Sequence, residues 1–200
     1  MGDYLRLLTV SDRVIPLADL QRAASAGAVW SEDHPGTSGN YLAIGAVAND
    51  LTRLWATVER NPVGPNTLGA EEVAEFIDGL EAGGPLSATR WLSDYLESVR
   101  AIYAIRIYPE AMGDDPDALQ AVYAVRNALR SAIGGIGQWD DLGFTNDTDH
   151  LIWCNPATRP SGRTPAAVLD VSTGEWIEFD LDLDDPEALA RFLRGEAPPA

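Results

Sequence analysis

The densest group of oxygen ligands in the chain lies between two tryptophans. Asp140, Asp141, Asn146, Asp147, Asp149 and His150 are flanked by Trp139 and Trp153. Two chemistries fit this group. A hard divalent cation takes about six or more oxygens from a loop folded around it, and Asp140, Asp141, Asp147 and Asp149 would supply carboxylates for a metal-dependent hydrolase. No glycine-centred calcium-loop spacing accompanies them, and Asp and Asn are ordinary turn residues, so the residues name no particular metal. The other chemistry is capture of a cation carried by a partner. Aromatic rings beside carboxylates suit an arginine or lysine through stacking and charge together. On that reading Trp139, Asp140, Asp141, Asp147, Asp149 and Trp153 form a partner-binding face.

The remaining candidates are weaker. His150 and Cys154 stand four apart, which on a strand separates them by about 13 Å, too far to share a proton. Cys154 sits in the apolar run Leu151-Ile152-Trp153, where an inert buried thiol is expected. His34 is alone in a Gly/Pro/Ser segment. Gly134-Gly135-Ile136-Gly137 follows a helical pattern instead of opening one, so it lacks the context of a phosphate cradle. No serine stands in a nucleophile elbow, and two histidines with one cysteine do not make a zinc site. The residues point to no catalytic group and no cofactor.

Charge carries more information than any motif. All 14 basic residues are arginine, set against 31 acidic ones, for a formal net charge of -17. Such a surface repels nucleic-acid phosphate and anionic membrane, and it favours cationic partners. No run of five like charges exists, so an acidic tail is not the source. Three origins fit: arginine-rich coding bias, adaptation to a salty interior, or a cation-seeking face. One cysteine forms no internal disulfide, as expected for a reducing, cytoplasmic setting. No apolar stretch approaches the ~20 residues of a membrane span.

The elements that must position these residues read as an α+β fold. A mixed or mainly antiparallel sheet carries four to five helices. Strands are expected at Tyr4 to Val10, Ala28 to Glu32, Tyr41 to Val47, Leu51 to Arg60 and Arg100 to Tyr108. Shorter ones follow at Ile136 to Trp139, Leu151 to Cys154, Ala167 to Val171 and Trp176 to Leu181. In the Leu51 to Arg60 strand neither face is fully apolar, which predicts one wet side. Helices are expected after Pro16, around Val73 to Leu80, from a Ser87 cap to Val99, from Pro116 to Ile133, and from Pro186 to about Arg194. The inner stripe of the Pro116 helix reads as Leu119, Val122, Tyr123, Arg126, Leu129 and Ile133. Asp180, Asp182 and Asp184 alternate with leucines as on a charged edge strand.

Residues 1–196 read as one domain. A fainter echo, strand then helix then strands from Tyr4 and again near Val99, divides it into submodules 1–68 and 99–196 joined by a helical pair at 69–98. The function expected is an acidic protein-protein interaction module, such as an immunity or inhibitor protein, that captures a basic protein. It needs no cofactor and takes neither nucleic acid nor membrane. The metal-dependent hydrolase and a purely structural subunit are the alternatives.

Overall fold

The computed structural model describes residues 3–24, 28–31, 41–48, 51–113, 115–140 and 142–198. His34, residues 33–40, whose composition suits a loop, Asn49-Asp50, which suits a hairpin turn, and Asp141 lie outside the described residues. The fold is α+β, with a mixed, mostly antiparallel sheet and helices on both of its faces.

Among the described residues ten strands make one sheet: β1 (Asp3–Thr9), β2 (Ala28–Ser31), β3 (Tyr41–Ala48), β4 (Leu51–Pro62), β5 (Ala101–Ile107), β6 (Ile136–Trp139), β7 (Gly143–Thr145), β8 (Leu151–Trp153), β9 (Arg163–Asp170) and β10 (Glu175–Asp182). Their order across the sheet is β10-β9-β8-β7-β6-β1-β5-β4-β3-β2. Every pairing is antiparallel except β8 with β9. The helices are α1 (Leu17–Ala23), α2 (Leu68–Gly79), α3 (Leu86–Ser98), the single turn α4 (Pro109–Met112), α5 (Pro116–Ile133) and α6 (Pro186–Leu193).

β1 is the hub, paired with β5 on one side and β6 on the other. A strand so placed is buried on both faces, and its alternation sorts the two cores. Leu5 and Leu7 join Leu20 of α1 and Val122, Val125 and Leu129 of α5. Leu8 joins Val73 of α2 and Leu92 and Leu96 of α3 on the opposite face. Toward the β10 end, Phe192 of α6 packs with Leu181 and Val168. Trp176, of opposite parity on β10, belongs to the α2/α3 core instead.

The caps follow from sequence. Asp115 accepts a bond from the Asp117 amide and Asp185 accepts from Glu187 and Ala188, with Pro in the first turn of each helix. The Asp170–Gly174 turn closes the β9/β10 hairpin. The expected wet face of β4 is corrected. Trp55, Ala56, Thr57 and Val58 are all buried, because β4 is an interior strand between β3 and β5. Ile44 pairs with Ala56 while Gly45 pairs with Leu54, so Trp55 is the extra residue of a bulge and the alternation restarts there. The Ser87 cap is also corrected. α3 starts two residues earlier, at Leu86 behind Pro85, with no side-chain cap.

The stripe on α5 is rotated from its expected position. Val122, Arg126 and Leu129 point inward as expected, but Ala118, Ala121 and Val125 complete the buried face. Leu119 is 46% exposed. Small alanines let α5 sit close to the sheet, and that proximity, not residue size, chose the face. Leu129→Ala should therefore lower stability by about 2–5 kcal/mol. Leu119→Ala should cost about 0.5 kcal/mol or less, as at a surface position. Denaturant midpoints of the two variants check this.

Candidate functional site

The acidic stretch is divided by the fold. Asp140 and Leu142 lie between β6 and β7, and residues 146–150 connect β7 to β8. The two loops therefore sit at opposite ends of the three-residue β7, roughly 10 Å apart. Asp140 belongs to one end of the sheet, Asp147 and Asp149 to the other. The tryptophans are divided as well. Trp139 packs on the α1/α5 core, its ring 6.5 Å from that of Tyr123. Trp153 is 6% exposed and lies in the α2/α3 core, edge-on to Phe144 at 5.6 Å. Among the described residues no three His, Cys, Asp or Glu side chains converge as metal ligands would.

At the 146–150 end the loop is held from inside. Asn146 is buried, and its side-chain oxygen accepts from the amides of Thr148 and His150. That turn puts Asp149 at φ +67°, a left-handed conformation that Asp tolerates better than most residues. There its carboxylate takes a forked pair of bonds from Arg126 and a further ion pair from Arg130, both on α5. Burial alone would raise the Asp149 pKa. The Arg126 hydrogen bonds and charge, then those of Arg130, outweigh it and hold the carboxyl below its ordinary range. Arg130 also donates to the Asp147 carbonyl. The Asp147 carboxylate itself is exposed and, after burial, is what raises the Tyr95 phenol to about 12. Thr148 meets both His150 Nδ1, at 2.9 Å, and Glu178 of β10, at 3.1 Å. Cys154 is fully buried and its thiol is pushed up to about 11, the opposite of what a nucleophile requires.

At the other end a cleft of about 180 Å³ opens between α2, the β6/β7 turn and the one-turn 3-10 helix Pro156–Thr158. Three of the residues singled out from sequence line it: Trp139, Asp140 and Trp153. Phe144 and Trp153 make its buried floor, and Phe76 of α2 stands edge-on to Phe144 at 5.6 Å with an interplanar angle of 87°. Glu75 and Gln138 add polar groups. Gly143 holds the turn at φ +125°, and a Cβ there would lie 2.1 Å from the Trp153 carbonyl, so only glycine fits where β7 crosses β8.

Arg6 anchors the cleft from behind. It projects from the middle of β1, pairs with Glu72 of α2 and with Asp140, and donates to Gln138 at 2.8 Å. Its guanidinium lies 5.1 Å from the centre of the Tyr4 ring and 5.7 Å from that of Phe76. Glu72, Glu75, Phe76, Phe144 and Arg6 are not part of the site read from sequence. The signals available were an arginine inside the apolar run Leu5-Arg6-Leu7-Leu8 and Arg126 on an inner helical stripe, each of which demands a carboxylate partner that spacing cannot locate.

Comparison with protein-family models, with curated proteins and with solved structures finds no match for this chain.

Asp149→Asn should leave Arg126, 5% exposed, with charge it cannot discharge. The expected cost is about 2 kcal/mol, below that of a fully buried pair because Asp149 is 43% exposed. Because the folded pKa is depressed, the contribution is fully present above the unfolded value near 3.8. It is lost as pH falls through the lower folded value. Denaturation of both proteins from neutral pH into acid checks that their stability difference closes in that direction.

Proposed function

We propose that this protein is an acidic interaction module that captures a basic protein. The observation that carries the proposal is how its arginines are used. Arg6, Arg126 and Arg130 are each turned inward and paired with carboxylates of the chain itself. Meanwhile Glu75 and Asp147 have no ion-pair partner among the described residues. The net charge of -17 is therefore presented outward, where it speeds encounter with a cationic surface. An immunity or inhibitor protein covering a basic toxin or enzyme uses this physics, and that is the biological form we favour. No covalent step or cofactor enters the proposal.

Affinity capture from the source cell, at low and high salt and with and without chelator, tests it. The expected result is one basic protein retained at low salt, released at high salt and indifferent to chelator, because long-range attraction is screened. Retention that depends on a divalent ion, or no specific partner in any condition, contradicts the proposal.

A further inference from the structure

The cleft beside α2 has a chemistry narrower than "acidic". Its floor is aromatic, from Phe144 and Trp153, and Phe76 forms part of the wall. Two carboxylates, Glu75 and Asp140, stand at its mouth. Its volume of about 180 Å³ has room for about six waters, enough for one long side chain and too little for a folded element. Aromatic walls reward a flat, weakly hydrated cation, and a pair of carboxylates rewards a forked donor. Both conditions describe a guanidinium better than an ammonium.

The molecule already contains this arrangement once. Arg6 is bracketed by Glu72 and Asp140 and lies over the rings of Tyr4 and Phe76. Arg6 uses one oxygen of Asp140, and the side chain is 45% exposed. Glu75, one residue from Phe76, is exposed on the cleft side of α2. The far side of the same acidic and aromatic wall is thus open to a second guanidinium.

We propose that the cleft receives one arginine side chain from the basic partner. Its methylene stem lies along Phe76, Phe144 and Trp153, and its guanidinium bonds to Glu75 and to the outer oxygen of Asp140. This rests on the interaction reading above and names the chemical group that reading captures. Gly79 supplies the means to close the site. It lines the cleft, has helical angles of φ -72° and ψ -19°, and a Cβ built there meets nothing within 4 Å. A larger residue at this position keeps the helix and fills the space.

The test has two arms. In the first, an acetylated and amidated pentapeptide with one central arginine among glycines is titrated into the full chain, and the indole signal of Trp153 is followed by NMR. Saturable shifts of that signal, at about millimolar affinity, are expected. The same peptide with citrulline should be inert, and the lysine peptide several-fold weaker. Glu75→Gln should weaken the arginine peptide roughly tenfold, and Gly79→Phe should abolish its binding while Gly79→Ala retains it. Absence of shifts, or equal shifts with citrulline or lysine, overturns the proposal.

In the second arm the basic protein retained by the wild type is measured against Gly79→Phe and Gly79→Ala. A loss of at least about tenfold in affinity with the phenylalanine variant alone supports the proposal. Undiminished capture by both variants overturns the cleft assignment and leaves the interaction reading standing. Peptide binding with no basic protein captured does the reverse.

Discussion

A cation at the centre of an acidic molecule organises this fold. Arg6 stands on β1, an interior strand between β5 and β6, and points into the α2 face. Burying a guanidinium costs several kcal/mol unless its donors are satisfied. Here they are met by Glu72 on α2, Gln138 on β6 and Asp140 in the β6/β7 turn. Burial alone would lower the Arg6 pKa, but Glu72 and then Asp140 outweigh it, so the charge is retained. Three separate pieces of chain are thereby drawn to one point. The cleft is the space that remains beyond them.

Asp149 repeats the logic with the signs exchanged. A single carboxylate, fixed in a left-handed turn by Asn146, pairs with two arginines of α5. Each of these networks ties a helix to the sheet side through one charge shared by more than one partner. A chain with 14 arginines and 31 acids that commits several arginines inside must expose its surplus acids. Their mutual repulsion opposes compactness, and salt relieves it. On the function proposed above, the same excess draws a cationic protein from a distance and leaves short-range contacts to set its orientation.

Much of the fold is legible in the sequence because its elements carry local marks. The Asp115-Pro116 and Asp185-Pro186 starts, the glycines after Ile133 and the period-two runs in β1 and β5 each have a capping or pleating cause. Elements without such causes are harder to see. β7 is three residues long with a glycine at its head, and α4 is a single turn behind Pro109. The bulge at Trp55 hides the interior position of β4, since period two fails at that residue. The candidate site is only partly legible, for a topological reason. Trp139, Asp140, Asp147, Asp149 and Trp153 are neighbours in sequence, but β7 reverses the chain between the two acidic loops and turns the tryptophans to opposite cores. The partners that complete each end, Glu72 and Phe76 on α2 and Arg126 and Arg130 on α5, come from distant sequence, and no spacing rule connects them.

We propose above that the outward acidic charge recruits a cationic protein. The most direct test is the association rate of this chain with its captured partner across a range of ionic strengths. Electrostatically steered encounter requires an association rate that falls steeply with added salt while the dissociation rate changes little. An association rate indifferent to salt would contradict it, and would assign the acidity to solubility alone.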